Sequence, residues 1–246
     1  MIYSLWDFLA LLVVTLGIAL QGVVGIGFAL VAAPLLFLID PLFVPVPLII
    51  LGALLSGYMV ARGRQHLSWR RLMPALVARV PGSWLGAMLL ASVSPGALSL
   101  ILGGTLFVSV ALSWRNTIRI SMSTRSLSVA GFFSGIIGTA TSVGGPPMAL
   151  VYQESNVLTA RSELAAFFLA GLPITLIMLA LTDNLPLESL ILTLKMVPGL
   201  VAGVFVARRI DRHVDKQSAK PLLLSMSLLG AVLVVVQGVR LLAGAT

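Results

Sequence analysis

Two cations stand inside long apolar stretches, Arg79 within 72–93 and Lys195 within 186–207. A charge at bilayer depth marks ion or substrate handling by default, and a guanidinium or ammonium there suits an oxyanion. Each cation also lies close to a proline, Pro81 or Pro198. Carbonyls freed by that proline, or a headgroup reached by snorkelling, offer the structural alternative. A second cluster is the run Thr139-Ala140-Thr141-Ser142-Val143-Gly144-Gly145, which precedes Pro146 and Pro147. Proline suits the first helical position, and the amides of a helix start bind anions. Thr139, Thr141, Ser142, Gly144 and Gly145 are therefore candidate ligands. Gln21 and Gly25 join them from a second glycine-rich stretch, Gln21-Gly22-Val23-Val24-Gly25. Asp7, Asp40, Glu154, Glu163, Asp183 and Glu188 map to ends or loops, which leaves a cationic, hydroxyl-rich interior and speaks against a proton relay.

The elements that must position these groups are membrane helices. With 59% hydrophobic and 10% charged residues in 246, the chain lacks the polar surface of a water-soluble domain. Apolar stretches recur at 42–61, 72–93, 96–114, 160–181 and 186–207. They are too continuous for the alternation of a membrane barrel, so an all-α polytopic fold is expected. The net charge of +8 resides mainly in short loops, where it reads as topology signal and contact with membrane lipid, and no nucleic acid partner is expected. Cysteine is absent, His66 and His213 lie in basic loops, and no Ser or Thr has a credible base in its span. Neither catalysis, a metal nor a cofactor is expected. The amino terminus has no basic residue before its apolar run and reads as mature protein.

A spacing of 113 residues carries Gln21-Gly22-Val23-Val24-Gly25 onto Ser134-Gly135-Ile136-Ile137-Gly138, and Pro34 onto Pro147. Further on, Val80-Pro81-Gly82 with Gly86 returns as Val197-Pro198-Gly199 with Gly203, and Pro95 with Gly104 as Pro221 with Gly230. The chain thus divides into repeats 1–120 and 121–246, each with a glycine-rich opening segment, 5–40 or 126–153, and three ordinary spans. If each opening segment crossed once, the basic loops would fall on both sides of the membrane. If it is a broken, re-entrant hairpin, Arg62, Arg64, Arg70, Arg71, Arg115, Arg119, Arg125, Arg161 and the 208–220 cluster share the cytoplasmic side. Both termini are then periplasmic and the two repeats are inverted, as in many secondary transporters. The segment 126–153 predicts arms of about thirteen residues, roughly 20 Å, that stop at the midplane. Small residues such as Gly22, Gly86, Gly103 and Gly203 are expected to serve close helix packing.

The duplicated glycine-rich openings, the Gly144-Gly145-Pro146 turn, and Val197-Pro198-Gly199 with Gly203 before a basic loop resemble the TauE/SafE sulfite-exporter family, also called TSUP. The resemblance spans nearly the whole chain. It implies a bacterial inner-membrane transporter that exports sulfite, sulfoacetate or a related sulfonate. The first hairpin departs from the second, with Gly25-Ile26-Gly27-Phe28 where the second has its hydroxyl-rich run. A passive anion channel and a non-transporting scaffold are the alternatives. The residues leave open the coupling ion, and whether the chain forms a homo-oligomer.

Overall fold

The computed structural model describes residues 3–25, 27–115, 120–210 and 216–244. Arg119, Arg212 and His213 lie outside the described residues, as do the side chains of Arg115, Lys216 and Lys220. All regular elements among the described residues are helical: α1 (Leu5–Val24), α2 (Phe28–Ile39), α3 (Val46–Gly63), α4 (Trp69–Ser92), α5 (Pro95–Arg115), α6 (Thr124–Thr141), α7 (Gly145–Val151), α8 (Val157–Leu181), α9 (Leu187–Ile210) and α10 (Lys216–Ala243). Seven of them, α1, α3, α4, α5, α8, α9 and α10, are long and apolar enough to cross a membrane.

Each opening segment is a pair of helices joined by a sharp reversal. Ser4 starts α1 with a capping box, in which its hydroxyl accepts from the Asp7 amide at 3.2 Å and the Asp7 carboxylate accepts from the Ser4 amide at 2.9 Å. The helix ends at Gly25, whose φ of 100° only glycine adopts readily. The chain then turns back, so that Phe28 and Ala32 of α2 pack on Gly17 of α1. In the second segment Ser123 and Ser126 form the box and Ser142 ends α6 at φ 66°. Gly144 lies on Ser134 and Gly138 of the arm just left.

The two arms are unequal, which corrects the expectation of matched half-length arms. α1 has 20 residues and α6 has 18, or about 30 and 27 Å of helix, whereas the returning arms have 12 and 7. Glycine and threonine did not break α6 at Gly135, Gly138 or Thr139. In an apolar medium a helix keeps its backbone bonds satisfied through such residues, and Thr141 folds its hydroxyl back onto the Ile137 carbonyl at 2.8 Å.

Long helices clasp across the chain. α4 runs parallel to α6, with Gly131 against Ala75 and Gly86 against Ile136, and α1 runs parallel to α9, with Gly203 against Thr15 and Gly22 against Ala207. α3 lies antiparallel to α8 and α5 to α10, the latter through Gly103 on Val235. These are the close approaches that small residues permit without any hydrophobic drive between helices. α2 is enclosed: Leu30, Val31, Ala32, Ala33, Pro34, Leu36 and Phe37 are all buried. Outward faces remain apolar, as with Val77, Trp84 and Met88 on α4 and Leu194, Val201 and Phe205 on α9, the surface that lipid demands.

Candidate anion-binding site

Among the described residues the most deeply buried cation is Arg79, which is 3% exposed. α4 brings it inside because its Gly82 and Gly86 let α6 approach at backbone distance, and Gly171 of α8 clears room for the guanidinium. A β-carbon at Gly171 would stand 2.5 Å from Arg79 Nε, and one at Gly138 would stand 3.9 Å from Nη2. Arg79 Nη2 donates to Thr175 Oγ1 at 3.2 Å, and the guanidinium carbon lies 4.8 Å from the Phe167 ring centroid. Nε and Nη1 are buried with no partner, and among the described residues no carboxylate pairs with this cation. A buried, fully charged group with open donors is costly unless something anionic completes it.

Arg79 lines a cavity of about 90 Å³. That is room for a small ion or a few waters, well below the about 300–1,000 Å³ of a drug-sized pocket. Both reversals open onto it: Gly27, Ala29 and Leu30 from the start of α2, and Ser142, Gly144 and Gly145 from the start of α7. The first-turn amides of a helix have no acceptor within it and carry the positive end of its dipole. At α2 the Gln21 Oε1 accepts from the Phe28 amide at 2.9 Å, so Gln21 caps this turn while also lining the cavity. At α7 the prolines Pro146 and Pro147 carry no N–H, so this start offers fewer donors than its glycines and hydroxyls suggest. The hydroxyl of Ser142 donates to the Pro45 carbonyl at 3.1 Å. Phe28, Leu48, Ile49 and Phe168 make up much of the apolar wall, and Ser56 adds a hydroxyl.

Gln21, Arg79, Ser142, Gly144 and Gly145 are thus brought together, whereas four other candidates stand apart from the cavity lining. Thr139 is fully buried with its hydroxyl 3.5 Å from that of Thr175, behind Arg79. Thr141 bonds to Ile137 and accepts from the Val143 amide at 3.3 Å, which finishes α6. Gly25 faces the side chain of Arg161, whose guanidinium donates to the carbonyls of Gly22 and Val23. A cation there complements the carboxyl end of α1, and Arg161 is more than the loop charge that the sequence suggested.

Lys195 is the clearest departure. Its Nζ lies 3.1 Å from the Asp7 carboxylate and 5.9 Å from the Tyr3 ring centroid, so a carboxylate does neutralise it. Lys195 stands three residues before Pro198 and Arg79 two before Pro81, and one residue turns a helix by about 100°. Met196 takes the position two before Pro198, and it is fully buried in the apolar core. Replacing Lys195 with methionine should therefore leave anion affinity within about twofold and reduce stability by about 1 kcal/mol, the scale of a partly exposed pair. Titration of anion binding and thermal melting of Lys195→Met check both figures. A second carboxylate expected at an element end, Glu163, is fully buried in α8. It accepts from the Ser68 amide at 3.1 Å, Arg71 at 3.2 Å and the Tyr152 hydroxyl at 2.8 Å.

Thr175 was not visible as a site residue, since one hydroxyl in an apolar stretch 12 residues after Glu163 reads as ordinary span composition. Phe167 was equally silent.

Apolar helices long enough to span a bilayer, folded around an interior cavity lined by a guanidinium that no carboxylate among the described residues pairs, define a multi-pass membrane protein. The chain belongs to the sulfite exporter TauE/SafE family, whose model matches residues 9–234, and so to a family of transporters. No curated protein and no solved structure matches it.

Proposed function

We propose that the chain is a secondary transporter that carries sulfite, sulfoacetate or a related small sulfonate out of the cell across a bacterial inner membrane. The observation that carries this reading is Arg79: a buried guanidinium with Nε and Nη1 open, in a cavity of about 90 Å³ reached by two helix starts. A sulfonate or sulfite presents several oxygens to such a fork and to backbone amides at once. For a monoanion leaving an inside-negative cell, the potential alone contributes about 2.3 kcal/mol per 100 mV. The potential therefore favours export over uptake of such an anion.

Two halves, 1–120 and 121–246, are inverted in this scheme, with both termini periplasmic. Its support is the exchange of partners, α4 on α6 against α1 on α9, together with the duplicated glycines and prolines. Rocking of one half against the other then alternates access to Arg79.

Proteoliposomes loaded with a panel of anions test the reading. Saturable efflux of sulfite or a small sulfonate, in preference to chloride, is expected. Absence of saturable uptake and efflux for every oxyanion in the panel would sink it, and non-saturating flux would identify a channel instead. A single cysteine at Ser94 should react with an impermeant thiol reagent from the periplasmic face only.

A further inference from the structure

A second hollow, separate from the anion cavity, opens on the side of the molecule between α5, α6 and α7. It holds about 520 Å³ and its wall is almost wholly apolar, with Leu112 from α5, Val129, Phe133 and Ile137 from α6, and Leu150 from α7. Val129 and Phe133 are 52% and 49% exposed, so the groove faces outward to the surroundings of the helix bundle. At the end where α6 begins stands Arg125, the one charged residue in the lining. Exposed Trp114 and Trp69, which end α5 and begin α4 at this same end, are the side chains that settle at headgroup level.

We propose that this groove seats one acyl chain of an anionic phospholipid, with the lipid phosphate on Arg125. An apolar trough closed at one end by Arg125, with Ser121, Ser123 and Ser126 beside it, has the polarity profile of a lipid. The charge selects for a net negative headgroup, because among the described residues no acidic side chain lines the groove to receive the ammonium of a zwitterionic one.

The site has a structural consequence. α7 separates the two hollows: Pro146 and Ala149 line the anion cavity, and Pro147, Leu150 and Val151 line the groove. A lipid chain seated there backs a helix of only 7 residues that on that side otherwise meets α6 and α5. The assignment stands independently of what the cavity carries.

Native mass spectrometry of the full chain, released from micelles doped with phosphatidylglycerol or phosphatidylcholine, tests it. The wild type should retain one phosphatidylglycerol beyond its phosphatidylcholine count. Arg125→Gln should lower that retention by about fivefold, the loss expected for one basic residue at the surface. Arg64→Gln, which removes an exposed charge that does not line the groove, should retain lipid like the wild type. Equal retention of the two lipids by the wild type, undiminished retention by Arg125→Gln, or an equal loss in Arg64→Gln would each overturn the proposal.

Discussion

Replacing Arg79 with methionine should abolish saturable anion binding while leaving the protein at least as stable as before. The loss follows from the two open donors, Nε and Nη1, since a charge-assisted hydrogen bond is worth about 1.5–3 kcal/mol and two of them correspond to a drop of at least about 100-fold in affinity. Stability moves the other way because Arg79 is 3% exposed and its one hydrogen bond, to Thr175, does not offset desolvation of a full charge. Methionine fills much of the same volume and packs against Phe167 through its thioether. Calorimetric titration with the transported anion, set beside thermal melting of the same preparation, separates the effects. A variant that binds normally would remove Arg79 from the site. One that loses binding only because it no longer folds would show it in the melt.

Gly131→Ala should be the most disruptive single methyl group in the chain. An added β-carbon would stand 2.2 Å from the Ala75 carbonyl oxygen and 2.6 Å from its α-carbon, and backbone cannot swing aside as a side chain can. α4 and α6 must separate, which places the change at the upper end of the about 1–3 kcal/mol typical of overpacking. Because Ala75 lies one turn from Arg79 on α4, anion affinity falls with stability. Gly104 supplies the contrast, for a β-carbon there meets nothing within 4 Å. Gly104→Ala should bind like the wild type and melt no lower, since alanine is the better helix former, and an equal loss in both variants would show that the α4–α6 contact does not decide.

Much of the fold was legible in the order of glycines and prolines. A helix pair does occupy each opening segment, but the reversals, at Gly25 and Ser142 where left-handed backbone is found, lie 142 − 25 = 117 residues apart, four more than the repeat spacing of 113. What the pattern could not convey was how far each arm runs, because in an apolar medium glycine and threonine are compatible with continuing helix. The sequence also singled out Arg79 as a cation at depth, which the structure buries beside a cavity. It could not show that Asp7 lies across from Lys195, 188 positions away, nor that a one-residue offset would turn the lysine aside. Thr175 and Phe167 define the niche around Arg79 through contacts that only the folded chain creates.

The niche is shaped as much by what is missing as by what is there. At Gly171 the guanidinium occupies the volume that any other residue would claim for its own β-carbon, so the arginine and the glycine form a matched cast and mould on different helices. Drift at either position is therefore not independent. A relative that had exchanged Arg79 for a neutral residue would be released to enlarge position 171, and one that kept the charge would be held to glycine there. The history of the charge is written at a site that never needs to touch the ligand.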